Sequence, residues 1–352
     1  MGLSHLILLT ALLGLQPGTA MEPPPQPEEV LAVPEELRER LHDSVITQGN
    51  GADGRLDLLA RFIFSGDGLG FRYSNTKTST VSETYANGHG NCLSFTLLFL
   101  ALAEEAGIEA DPREVYVPAS WLQDGQTLFE TGHINVLVET ELRRAVVDFE
   151  PNPILSRRLS RARRGELVSL DRALAHFYNN RAAEILSGGD LAAAQEALEW
   201  SSVALALAPE FTPALNNRGV IEQRLGNWHG AQANFEAALE RNPRSASTLF
   251  NLLQLRLERE QIAEAERIIA QLEELPSDDP YFSWSMGRNY EDLGQLELAR
   301  QHYRQALIDN PDNEQFALDF ARINGNTSDR ALSGASLDLI GSKRDSFNKT
   351  LH

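Results

Sequence analysis

Cysteine is almost absent: Cys92 is the only one in 352 residues. That excludes an intrachain disulfide and any cysteine-built metal cluster. The eight histidines do not fall at ligand spacing, and no His-Glu-x-x-His occurs, so neither a catalytic metal nor a cofactor is expected. A phosphate-cradling loop of the Gly-x-x-x-x-Gly-Lys type is also missing. Positive charge is scarce. The net charge of −19 argues against nucleic-acid binding, which needs a basic stripe, and against docking on anionic lipid. An acidic surface of this kind mainly favours solubility. Long apolar runs are missing too. The run Leu6–Leu15 is about ten residues, too short to span a bilayer, so no stable membrane span is expected.

What is present centres on the lone cysteine. Gly88-His89-Gly90-Asn91 forms a turn, and an apolar run follows from Cys92 to Ala103. The run is too long for an ordinary strand and is closed by Gly107, which predicts a buried helix with Cys92 in its first turn. Backbone N–H groups there lack intrahelical partners, and such a terminus favours a thiolate. Two readings stand at this position: a working nucleophile, or a buried structural thiol. His133 comes 41 residues later in Gly-His-Ile-Asn-Val-Leu-Val, and Asp148 a further 15 later in Ala-Val-Val-Asp-Phe. Both segments are β-branched and alternating, with a polar turn near Thr140-Glu141, which predicts an antiparallel hairpin. His133 starts one strand and Asp148 ends the other, so the two side chains come together. Thiol, imidazole and carboxylate are the parts of an activated nucleophile.

Cys on a buried helix followed by His and Asp on successive strands resembles the transglutaminase-like superfamily of the papain-like fold, over about residues 55–155. The resemblance implies an α+β domain with Cys92 as nucleophile, His133 as general base and Asp148 as orienting carboxylate. It departs from many members in lacking Trp after the Cys: Leu93-Ser94-Phe95 stands there. The superfamily holds cross-linking enzymes, proteases, peptide amidases and members without activity.

Around this core the chain divides as follows. Residues 1–20 read as a secretory signal peptide with small residues Gly18 and Ala20 before the cut, although no Lys or Arg precedes the apolar run. Residues 21–33, with Pro23-Pro24-Pro25 and Pro27, read as an extended linker, and 34–160 as the transglutaminase-like domain. Helical patterns cover Pro34–Gln48 and Arg55–Phe64. Phe71 and Tyr73 read as core aromatics or the start of a substrate-side segment, His89 as a solvated loop residue or one lining the site, and Trp121 with Gln123–Gln126 as a wall of the cleft or a surface loop. Residues 161–174 read as a basic connecting segment, with Arg157-Arg158 and Arg161–Arg164 in a solvated helix.

From about residue 170 the chain repeats itself. Ala197, Ala231, Ala265 and Ala299 recur every 34 residues; Gly226 and Gly294 lie 68 apart with Glu260 between them; Pro209, Pro243 and Pro311 share the period. Small residues at Gly219, Ala231, Gly287 and Ala299 let paired helices approach, and Pro ends the second helix of each pair. This helix–turn–helix period resembles the tetratricopeptide repeat. It implies an all-α solenoid over 175–323, in repeats of about 175–211, 212–245, 246–279 and 280–313 plus a cap, with 324–352 as a disordered tail. On its concave face Asn179, Asn180, Asn216, Asn217, Arg218, Asn251 and Asn289 are the candidate contacts to a protein partner, because amides both donate and accept. The other reading is that some of these asparagines bond between neighbouring helices.

The functional expectation is an exported thiol enzyme acting on peptide or Gln-type amide bonds of a protein substrate, hydrolysis favoured over cross-linking, with repeats that capture a protein. The alternative is a catalytically silent scaffold in which the repeats carry the function.

Overall fold

The computed structural model describes residues 23–74, 77–115, 121–124, 127–130, 133–149, 165–187, 189–275 and 280–326. The expected signal peptide, the run Arg157–Arg164 and residues 327–352 lie outside the described residues. The expected tail starts too early, however. The last helix runs to Asn326, and Asn324, inside the expected tail, is buried.

The amino-terminal unit is a set of helices against a small sheet. Its helices are α1 (Pro27–Val30), α2 (Glu35–Leu41, widening into a π turn over His42–Ile46), α3 (Gly51–Phe64), α4 (Val81–Asn87) and α5 (Cys92–Glu105). Helix α5 is apolar on every side, and Leu93 through Ala103 are all buried, as a central helix must be. Asn91 caps its start by accepting from the Ser94 N–H at 2.9 Å. Gly107, at φ 61°, closes its end with the Ile108 N–H donating back to the Ala103 carbonyl, which satisfies the last carbonyls.

Strands β1 (Arg72–Tyr73) and β2 (His89–Gly90) pair in parallel. The main sheet has the order β7-β6-β3-β8, from β3 (Ala110–Val115), β6 (His133–Glu139), β7 (Arg144–Val147) and β8 (Gly165–Leu167), every pair antiparallel. Strand β6 is buried from His133 to Val138. Its alternate residues Ile134, Val136 and Val138 join the core beneath α5, and Thr96 on α5 donates to the Ile134 carbonyl at 3.2 Å. A separate hairpin, β4 (Trp121–Asp124) and β5 (Thr127–Glu130), connects β3 to β6.

The repeat segment is four helix pairs and a final helix: α6 (Leu170–Leu186) with α7 (Leu191–Leu207), α8 (Thr212–Arg224) with α9 (Trp228–Arg241), α10 (Ala246–Glu258) with α11 (Ile262–Glu273), α12 (Pro280–Asp292) with α13 (Leu296–Asp309), then α14 (Glu314–Asn326). The period has a steric cause. A Cβ on Gly219 would lie 2.4 Å from Phe235 Cε1, and one on Gly287 2.7 Å from Tyr303 Cδ1, so only glycine lets those pairs close. The β4–β5 hairpin lies against α8 and α10, the first helices of the second and third pairs.

Three sequence expectations change here. The stretch after Pro23 is no extended linker: it holds α1 with Pro27 at its start, Val30 is fully buried, and the Tyr178 hydroxyl donates to the Pro25 carbonyl at 2.6 Å. The burial of Val30 and that bond outweigh the stiffness of the prolines. Residues 161–174 are more than a connector, because β8 adds to the sheet beside β3 and α6 already starts at Leu170 under a Ser169 cap. His89 is half-buried in β2, since its backbone pairs with Arg72, so it is not a solvated loop residue.

Candidate functional site

Cys92 opens α5 and is partly exposed. His133 opens β6. The register pairs Val147 with Val136, so Asp148 leaves the ladder beside Asn135, within reach of the His133 ring. His133 Nε2 donates to Asp148 at 2.9 Å to Oδ1 and 3.0 Å to Oδ2, with only 8% and 12% of the two side chains exposed. Cys92, at the start of α5, acts on the same imidazole and helps to raise its proton affinity. Burial alone would depress the imidazole, but hydrogen bonds to Asp148 and Cys92 and their charges push His133 up to about 10. Burial would likewise raise Asp148, and the His133 contact and the Asn135 amide hold it below its ordinary value. The geometry therefore joins His133 to Asp148, two of the side chains singled out from the sequence, with Cys92 acting on the same ring.

Several residues around them were not singled out. Asn135 Nδ2 donates to Asp148 Oδ2 at 2.9 Å while its Oδ1 accepts from Arg113 Nε at 3.1 Å. Two residues along a strand share a face, so the His133-x-Asn135 spacing carried that signal. An aromatic cluster supports both ends of the site. Phe95, one turn after Cys92, lies 5.0 Å from Phe149, which follows Asp148, and both stack on Phe64 at 5.4 Å. Phe71, expected in the core, is buried 5.3 Å from Phe149.

The candidate contacts on the repeats separate into two groups. Asn179, Asn216, Asn217, Asn251 and Asn289 are all at most 3% exposed, which corrects their reading as open contacts. Asn217 Nδ2 donates to Asn179 Oδ1 at 2.9 Å, Asn216 to Asn217 at 3.1 Å, and Asn251 to Asn216 at 3.0 Å. Asn289 accepts from Gln254 at 2.8 Å and donates to the Ser285 carbonyl at 2.7 Å. Buried amides have to be paired, and these pair along the stack of first helices. Asn180 and Arg218 remain half-buried; Arg218 donates to the Ser202 hydroxyl at 2.8 Å.

Residues 223–283 match one family model described as tetratricopeptide repeat, and residues 283–307 match a second. Neither reaches the amino-terminal unit. No curated protein matches the chain. Among solved structures, MamA (41-end) from Desulfovibrio magneticus RS-1 is 17% identical over 49% of this chain and 96% of that one, with a TM-score of 0.37. The Pseudomonas aeruginosa pilF product is 17% identical over 49% of this chain and 77% of that one, TM-score 0.41. YrrB, described as a TPR protein with an unusual peptide-binding site, is 19% identical over 47% of this chain and 84% of that one, TM-score 0.34. Among the described residues no helix is long and apolar enough to cross a membrane. Over residues 223–307 the chain carries tetratricopeptide repeats.

Proposed function

We propose that the chain binds a protein or peptide partner through its repeats. The repeat-family matches across 223–307, set in a row of four helix pairs, carry this reading, because stacked repeats make extended recognition surfaces. Asn180 and Arg218 are the remaining candidate contacts. The test is capture by the full-length chain, wild type beside Cys92→Ala. A partner held equally by both is held without the thiol, and its loss in Arg218→Ala places it on the repeats. Failure of both to hold any partner removes the binding reading.

A second reading is favoured by one observation, the 2.9 Å pairing of His133 with Asp148 on an imidazole that Cys92 also acts on. In it the amino-terminal unit, taken over 34–160, is a transglutaminase-like domain of the papain-like fold. Sulfur of Cys92 attacks the carbonyl carbon of a peptide or Gln-type amide. As the carbon–sulfur bond forms and the carbon–nitrogen bond breaks, His133 passes a proton to the leaving nitrogen. Water, deprotonated by His133, then cleaves the thioester and restores the thiol. The Cys92 N–H at the start of α5 is the oxyanion donor of this scheme. Hydrolysis is preferred to cross-linking, for nothing among the described residues marks an amine-acceptor site. Export on the apolar segment Leu6–Leu15 belongs to the same reading. Its test is alkylation of the full-length protein by iodoacetamide at neutral pH. Fast labelling lost in Cys92→Ala and slowed in His133→Ala supports it; labelling no faster than free cysteine leaves the scaffold reading alone.

A further inference from the structure

We propose that the first helix of the repeat segment, α6, is part of the thiol site, with Glu184 as the positioning residue for Cys92. This inference rests on the thiol reading above. Glu184 Oε1 accepts from both the backbone N–H and the hydroxyl of Thr78, each at 2.8 Å. The same Thr78 hydroxyl accepts from Asn91 Nδ2 at 2.9 Å. Asn91 is the cap of α5, and its Oδ1 takes the Ser94 N–H at 2.9 Å and the Ser94 hydroxyl at 3.0 Å. Ser94 Oγ in turn accepts from the Ser79 N–H at 2.9 Å. Thr78, Asn91 and Ser94 are buried, so no water competes for these bonds. Glu184 is itself fixed: its second oxygen pairs with Arg181 at 2.6 Å, and Arg181 lies over the Trp200 ring of α7 at 5.3 Å. An unbroken line of side chains thus runs from the first helix pair to the residue preceding Cys92.

The same helix holds the histidine half of the site. Arg172 and His176 donate to Glu114 Oε1 at 2.5 and 2.6 Å. Glu114 is on β3, and its neighbour Val115 pairs with His133. Two ends of one helix therefore grip the two elements whose spacing sets the distance from sulfur to imidazole. Displacement of a reacting group by about 1 Å costs up to a hundredfold in rate, so this clamp has something to control.

The test is iodoacetamide alkylation of Cys92 in the full-length protein across a pH series. Glu184→Ala and Thr78→Val are expected to slow labelling about tenfold and to move its pH profile. The pair together slows it no further, since both cut one line. Glu184→Gln, which keeps an acceptor for Thr78, restores most of the rate. Gly287→Ala, destabilising but remote, serves as control and leaves rate and profile unchanged. A wild-type rate and profile in Glu184→Ala overturns the inference, as does equal slowing in the control. His133→Ala separates the two failures. If it labels like wild type, the thiol reading falls and the clamp with it. If it slows while Glu184→Ala does not, only the clamp falls.

Discussion

His133 gives one N–H to both oxygens of Asp148, at 2.9 and 3.0 Å, and holds its proton far above its ordinary value. The folded His133 titrates at about 10 against an ordinary 6.5, so its contribution to stability is complete below about 6.5 and is lost as pH rises through about 10. Asp148 is depressed, so its contribution is present above its ordinary 3.8 and is lost as pH falls through its lower folded value. Urea midpoints of wild type and Asp148→Asn should therefore differ most between about pH 4 and 6.5. The gap should shrink towards pH 10 and again in strong acid. A gap that widens with alkali contradicts this assignment.

Asn135 bridges Asp148 and Arg113 inside the sheet. Asn135→Ala removes one hydrogen bond each from Asp148 and Arg113 and should cost about 1–3 kcal/mol in urea unfolding. It should also raise the pH at which Asp148 takes up its proton, read from its carboxyl carbon resonance, because the Asn135 amide helps to hold that carboxylate ionised. No change in either measurement would show that the bridge is idle.

Asn217 sits in the asparagine ladder with Asn179 and Asn216. Asn217→Ala should lower stability by about 1–3 kcal/mol, by the same loss of paired buried amides. A variant that loses a captured partner at unchanged stability would return this residue to the binding surface.

Gly219→Ala and Gly287→Ala press a methyl into Phe235 and Tyr303. Each should cost about 1–3 kcal/mol by overpacking. The loss is read as a fall in urea midpoint with an unchanged slope.

Glu260 stands where neighbouring repeats have Gly226 and Gly294, and takes the same left-handed turn at φ 56°. Glu260→Gly should raise stability by roughly 0.5–1 kcal/mol, since the side chain is strained there and exposed. A lower thermal midpoint in this variant would mean that the Glu260 side chain contributes more than its strain costs.

Local and periodic features were the legible ones. The cap-and-run pattern at Asn91-Cys92 marks a helix start, and the hairpin spacing brings His133 to Asp148. The 34-residue rhythm records which helices must touch. Contacts between remote parts leave no such rhythm. Thr78 and Glu184, 106 residues apart, look like ordinary polar residues until the units are packed. The asparagines misled for a different reason. A polar residue repeated on first helices is equally the mark of an inner binding face and of a buried amide stack, and burial alone separates the two. The Pro-rich start misled because proline content reports backbone stiffness, whereas Val30 and the Pro25 carbonyl decide where the strand of chain lies.

Helix α6 also changes what a cut in the backbone would do. It bonds the chain start through Tyr178 and Pro25, the α5 cap through Glu184, and the sheet through Arg172 and His176. These ties are noncovalent and independent of the peptide between residues 150 and 164. A protease site engineered into that stretch should yield two fragments that migrate as one species on gel filtration and part only in denaturant. Expressed alone, each fragment would present the torn half of a shared core, so the junction marks a change of architecture rather than a place where the protein comes apart.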